Sequence, residues 1–191
     1  LSALREEDDM LANVDARGNP TPTARFMGGR EYRAIAGEAG AACTPDRTDL
    51  NAVIDQGAMA LPAFATAGGP YAARTGRFIH DAHLSASQRA ALAAVYVALM
   101  TDLLLDRLQA GGDTIVDGPL AANSLYCSVL ASLRPRTPVW IGDIEAGTAD
   151  AGRRLAGCES SPPALRRAAP DVSDGRFDPY RDEWRLLVQR G

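Results

Sequence analysis

The chain has 191 residues, 46% of them hydrophobic and 23% charged, with a formal net charge of −4, enough apolar material for one sizeable core and a composition that excludes a disordered or collagen-like chain. All 20 residues in the Lys+Arg count are arginines, so a Walker A loop, a protein-kinase site and a pyridoxal Schiff base, each of which needs a lysine amine, cannot be built from it. The mild acidity excludes an electrostatic footprint for nucleic acid or anionic lipid, and Cys43, Cys127 and Cys158, far apart in sequence and without a Cys-x-x-Cys pair, give neither a disulfide framework nor a zinc site.

In chain order, residues 11–14 and 23–27 read as short strands around the reversal Asp15-Ala16-Arg17-Gly18-Asn19-Pro20, a hairpin. The second strand runs into Gly28-Gly29 and a helical stretch over 30–36 closed by Gly37, a strand, glycine turn and helix in succession. Pro45 and the acidic residues after it mark another helix start, and Gly68-Gly69-Pro70 with Arg74-Thr75-Gly76-Arg77 marks an irregular loop. Ser85 and Gln88 form a capping box, and no proline or glycine interrupts residues 86–110, so a long helix is expected. Its middle (Leu92, Val95, Tyr96, Leu99, Met100, Leu103) is apolar nearly all round and is expected to lie between a sheet and another layer. The apolar run over 90–100 is shorter than the roughly 20 residues of a membrane span, and residues 1–7 carry no signal-peptide pattern. A buried strand over 114–117, the turn Gly118-Pro119, a helix through 133 and a strand over 138–141 follow. That strand–helix–strand unit allows parallel pairing with a right-handed crossover and places the chain in the α/β class, with a mixed sheet flanked by helices. A short helix is expected over 148–156, and the tail from Pro179, with Tyr180, Trp184, Leu187 and Val188 at helical spacing, is expected to pack back onto the domain.

The strongest chemical candidate is Asp117-Gly118-Pro119-Leu120-Ala121-Ala122-Asn123, at the carboxyl end of a strand and the start of a helix, where ligands bind in open α/β sheets. Gly118 permits close backbone approach, Ala121 and Ala122 leave room for a flat ring, and Asn123 offers a donor and an acceptor. A plain strand–helix turn, with Asp117 and Asn123 making local backbone bonds, fits the same residues. The turn at Gly28-Gly29 favours phosphate at a helix N-terminus. Glu31 beside it reads equally as a complement to the helix dipole, and Arg30 as a surface ion-pair partner. His80 and His83 lack a third ligand at plausible spacing for a metal, Asp102, Asp106 and Arg107 read as a solvated helix edge, and Cys127 reads as a small packing residue.

Several stretches in a fixed order resemble the C-terminal half of an FGGY-family carbohydrate kinase, of the bacterial fuculose, rhamnulose and xylulose kind. They are Thr23-Ala24-Arg25-Phe26-Met27-Gly28-Gly29-Arg30-Glu31-Tyr32, then Gly68-Gly69-Pro70-Tyr71 with Arg74-Thr75-Gly76-Arg77, the long helix, residues 115–126 around Asp117-Gly118-Pro119, and Glu145-Ala146-Gly147-Thr148-Ala149-Asp150-Ala151-Gly152. The resemblance implies a ribonuclease H-like, actin-like ATPase fold. Residues 1–191 would form one domain, the nucleotide-binding half of a two-domain kinase, with 158–191 as an extension packing back on it. It implies ATP and Mg²⁺, a small sugar as substrate and an N-terminal kinase domain as partner; a homodimer is left open. Carried over by position, Gly28 would sit beside the phosphates, while Gly118, Pro119 and Asn123 would form the adenosine pocket. Many relatives have a second glycine where this chain has Pro119, which removes one backbone donor. No catalytic residue and no metal ligand is expected here, because the first phosphate loop, most of the sugar site and the catalytic base belong to the family's N-terminal domain. The chain opens without methionine and in mid-pattern, so it is expected to be a segment of a longer polypeptide, inactive alone. A cytoplasmic location is expected, and a non-catalytic nucleotide-binding or assembly module is the alternative reading.

Overall fold

A computed structural model describes residues 4–142, 152–153, 155–157, 164–172 and 175–190. The first pair of strands, β1 (Met10–Val14) and β2 (Pro20–Ala24), is antiparallel with Met10 opposite Ala24 and Val14 opposite Pro20. Its reversal is closed by the Asp15 carboxylate, which accepts from the backbone N–H groups of Arg17 and Asn19, both at 2.8 Å, and from the Asn19 amide at 3.0 Å. Those bonds let pairing resume at Pro20, so the second strand lies three residues earlier than expected and Phe26-Met27 leads into a helix instead. Pro20 and Pro22 are tolerated because this exposed ribbon has a free side for a residue without an N–H.

Helix α1 (Gly28–Ala41) breaks at Gly37, the expected stop, which takes the non-helical φ 68° and ψ 172°; beyond this kink a second short helical stretch runs to Ala41. Helix α2 (Arg47–Asp55) starts at Asp46, whose side chain accepts from the N–H groups of Thr48 and Asp49 while Asp49 returns a bond to the Asp46 N–H. Strands β3 (Met59–Leu61) and β4 (Arg77–Ile79) form a second antiparallel pair; at three residues each they are too short for alternation to show.

The long helix α3 (Ala86–Arg107) has both halves of the Ser85/Gln88 capping box. Ala90 to Met100 are all at most 1% exposed. By length and apolar character α3 resembles a membrane span, and here it is the buried core. Its neighbours are chiefly α1, α2 and the later helix α4, with β3 at one side, so the expected position between a sheet and another layer is corrected to one within a helical layer. The physical reason is its alanines at 90, 91, 93, 94 and 98, which let helices approach closely. Facing them, a Cβ on Gly40 of α1 would lie 2.9 Å from the Ala86 carbonyl oxygen, so that crossing requires glycine.

Strands β5 (Thr114–Val116) and β6 (Val139–Ile141) pair in parallel through α4 (Ser124–Leu133), and β7 (Arg166–Arg167) adds antiparallel to β6. The sheet is mixed as expected but has three strands of two or three residues, with the other two pairs standing apart. β5 is only partly buried, since Ile115 is 58% exposed. The helix expected over 148–156 lies largely outside the described residues.

Helix α5 (Phe177–Arg190) turns Phe177, Tyr180, Trp184 and Val188 inward, each burial contributing roughly 1.5–3 kcal/mol. Its polar tips reach backbone acceptors on the segment around β3: Tyr180 donates to the Ala58 carbonyl at 2.6 Å and Trp184 to that of Ala60 at 2.8 Å. Asp102, expected at a solvated edge, is 2% exposed. It accepts from Arg134 after α4 at 3.0 Å and from Arg185 of α5 at 2.5 Å, joining three helices. Arg107 turns away from it to Asp8 and the Tyr71 hydroxyl.

Candidate functional site

The two glycine turns singled out in the sequence meet in space. Gly28 opens α1 in close contact with its surroundings: a Cβ there would lie 3.2 Å from Phe26 Cε1, so the ring would have to give by a few tenths of an ångström, and 3.4 Å from Leu120 Cδ1, an ordinary contact. Leu120 belongs to the second turn, so the N-terminus of α1 packs directly on the loop between β5 and α4.

That loop is shaped by three local devices. Asp117 Oδ1 accepts from the Gly118 N–H at 2.8 Å. Gly118 takes φ 73° and ψ −163°, a conformation open essentially to glycine alone. Pro119, with its φ fixed, begins a 3₁₀ turn over Pro119–Ala122, and Asn123 then caps α4 by accepting from the Tyr126 N–H at 3.0 Å. The local backbone bonds that the sequence allowed at Asp117 and Asn123 are therefore both made.

Between the two turns lies a cavity of about 260 Å³, walled by Gly29, Tyr32 and Arg33 of α1 and by Pro119, Leu120 and Asn123 of the loop, and closed by the segment around Cys43 and Pro45. Of the four expected site residues, Pro119 and Asn123 line it, while Gly28 and Gly118 each stand one residue outside its wall. Tyr32 was not anticipated, although it follows Gly29 by three residues and so shares its helix face. Burial pushes the Tyr32 hydroxyl above its ordinary range; the Asn123 amide draws it partly back, and Cys43 pushes it up.

α1 is fixed behind this cavity by Glu31, which is 2% exposed. Rather than merely complementing the helix dipole, its carboxylate accepts from the N–H groups of Phe64 at 2.9 Å and Ala65 at 3.2 Å and from the Tyr96 hydroxyl at 2.7 Å. Burial, and secondly the Glu31 charge, drive the Tyr96 hydroxyl far above its usual range. Helix α1, which forms one wall of the cavity, is thus anchored to α3 and to the loop after β3. On the far side of the turn Cys127 is buried, and burial pushes its thiol up to about 11.

Two larger clefts have different chemistry. One of about 750 Å³ is lined by Asp102, Asp106, Arg134 and Arg185, whose charges pair with one another. One of about 560 Å³ presents Arg74, Arg77 and Arg190 over Leu61 and Leu187. Among the described residues no three His, Cys, Asp or Glu side chains come together as metal ligands, and His80 and His83 both sit in turns with positive φ.

Residues 1–163 match the family model described as carbohydrate kinase FGGY, C-terminal domain. The fold matches the crystal structure of a carbohydrate kinase from Novosphingobium aromaticivorans at TM-score 0.81 and 32% identity, over 98% of this chain and 41% of that one. It also matches xylulose kinase from Rhodospirillum rubrum at TM-score 0.66 and 15% identity, over 95% of this chain and 42% of that one, a likeness of fold alone. No curated protein sequence matches. The chain spans about two-fifths of the length of these solved relatives. With its matched residues, its α/β elements and its paired glycine turns, the chain belongs to the FGGY carbohydrate kinases, as a C-terminal domain of that family.

Proposed function

We propose that this chain is the nucleotide-binding half of an ATP-dependent carbohydrate kinase that phosphorylates a hydroxyl of a small ketose or polyol in the cytoplasm. The observation that carries the reading is the cavity between the α1 N-terminus and the loop from Gly118 to Asn123. It has apolar walls at Ala41, Pro45, Pro119, Leu120 and Ala122, with polar groups at Tyr32, Arg33, Thr44, Asn123 and Ser124, a mixture that suits a nucleoside. Gly28 and Gly29 at the start of α1 give the phosphates a helix N-terminus to face. Pro119 offers no N–H, so the loop contributes one backbone donor fewer than a glycine would.

Phosphoryl transfer needs the γ-phosphate and acceptor hydroxyl held in line, and the groups that hold the sugar and take its proton would come from an N-terminal kinase domain. Among the described residues no three His, Cys, Asp or Glu side chains form a metal cage; a Mg²⁺ accompanying ATP would be held mainly by the phosphates and water, with one or two carboxylates. A coupled assay of ATP consumption by the native full-length protein over a panel of ketoses and polyols tests the reading. Sugar-dependent turnover is expected from the native protein and none from residues 1–191 alone. Nucleotide binding without turnover on any sugar would favour the non-catalytic module instead, and turnover by residues 1–191 would overturn the division of labour.

A further inference from the structure

The cleft between α5 and the loop before β4 carries charge of one sign. Arg74 of the loop, Arg77 of β4 and Arg190 of α5 converge on it, and among the described residues no carboxylate lines it. The chain has 24 acidic residues to 20 arginines, so a cleft with arginines alone runs against the average. In the neighbouring cleft Asp102 and Asp106 neutralise Arg134 and Arg185. Here neither Arg77 nor Arg190 has an ion-pair partner among the described residues.

Arg74 is the fixed member of the three. Its guanidinium lies 4.5 Å from the centre of the Tyr71 ring, and one of its nitrogens donates to the Val188 carbonyl at 2.6 Å. A guanidinium has five N–H donors, so most of them are left for a ligand. The same bond covers a carbonyl in the last turn of α5, where the negative end of the helix dipole would repel an anion. Arg77 is placed by strand pairing, opposite Leu61 of β3, and Thr75 adds a hydroxyl to the same wall. Planar forks held in this way match a phosphate group, and a cleft of one charge concentrates its counter-ion. The floor is apolar, formed by Leu61, Pro62 and Leu187. At about 560 Å³ the cleft lies within the roughly 300–1,000 Å³ of small-molecule sites, more room than a bare anion fills.

We propose that this cleft binds a small organic phosphate monoester, with its phosphate among the three arginines and its carbon skeleton on the apolar floor. It shares no residue with the cavity at Pro119 and Asn123, so the proposal stands apart from the nucleotide-binding reading.

The test is calorimetric titration of phenyl phosphate, inorganic phosphate, uncharged benzyl alcohol and ADP into the native full-length protein and its Arg77→Gln, Arg190→Gln and double variants, with melting temperature as a second readout. Arg74 is left unaltered because it also holds α5. Phenyl phosphate is expected to bind more tightly than inorganic phosphate, and to weaken as added salt screens the exposed arginines; benzyl alcohol is expected not to bind. Each single substitution is expected to weaken phenyl phosphate roughly two- to fivefold, the scale of an exposed charge pair, and the double variant about tenfold. Melting temperature and ADP affinity are expected to stay at the wild-type values. Absence of phenyl phosphate binding to the wild type would overturn the proposal, as would undiminished binding to the folded double variant. Inorganic phosphate bound as tightly as phenyl phosphate would overturn the assignment to an organic ester. A parallel loss of ADP would make the cleft part of the nucleotide site and overturn its independence. Failure of ADP to bind the wild type would count against the nucleotide-binding reading alone, with phenyl phosphate still deciding the cleft.

Discussion

Replacing Tyr96 by Phe removes one hydroxyl and leaves the ring. That hydroxyl donates to Glu31 at 2.7 Å in a site where both residues are at most 2% exposed. The carboxylate would keep the Phe64 and Ala65 N–H groups, and the ring would keep its edge contacts with Phe64 at 5.7 Å and Trp184 at 6.4 Å. Apolar burial is therefore unchanged, and the loss is that of one hydrogen bond to a charged group, about 2 kcal/mol. For a domain of this size that corresponds to a fall of roughly 4–8 °C in melting temperature. Urea unfolding followed by tryptophan fluorescence reads it directly, because Trp184 adjoins Tyr96. The expected result is a lower midpoint with an unchanged slope. In a Glu31→Gln background the same substitution should cost less, since the two groups share one bond. Equal midpoints for wild type and Tyr96→Phe would refute the claim that this bond anchors α1.

Other perturbations reach different parts of the account. Gly118→Ala meets no atom within 4 Å yet must hold φ 73° and ψ −163°, so a loss of roughly 1–3 kcal/mol is expected from backbone strain alone, measured by denaturant midpoint; no loss would mean that the loop relaxes freely. Asp102→Asn leaves Arg134 without its buried charge partner and should cost about 2–4 kcal/mol, less than a fully buried pair because Arg185 is 37% exposed in its side chain; thermal melting checks it. Asp9 is held below the usual carboxylate range first by the Arg25 guanidinium and then by the Gly69 N–H, against the opposing effect of burial. Its stabilisation is complete above the unfolded-state value near about 3.9 and is lost as pH falls through the lower folded value, so Asp9→Asn should flatten the acid limb of a stability profile below about pH 4 and shift stability by a constant amount above it.

The parts of the fold written by local rules were legible. The capping box at Ser85 and Gln88, the turn at Gly118-Pro119 and the parallel crossover from β5 to β6 all rest on short-range chemistry that a sequence displays. The tail helix was legible too, because Tyr180, Trp184 and Val188 repeat at helical spacing. What stayed hidden depends on which distant groups meet. Glu31 looks like an ordinary first-turn acid until the loop after β3 brings two N–H groups to it, and Asp102 looks solvated until α5 folds over it. β3 and β4 have too few residues to show a period. In the candidate site the glycines announced where two turns lie, but not that the turns face each other. Tyr32 ends the first stretch of the family resemblance with no role attached to it; only its spacing from Gly29 and the placement of α1 against the loop put it in the wall.

The central claim is most directly tested by a crystal structure of the native full-length protein with ADP. The account expects the nucleoside between Tyr32 and the loop from Pro119 to Asn123, with the phosphates toward Gly28 and Gly29. A nucleotide bound elsewhere on this chain, with that cavity left empty, would contradict it.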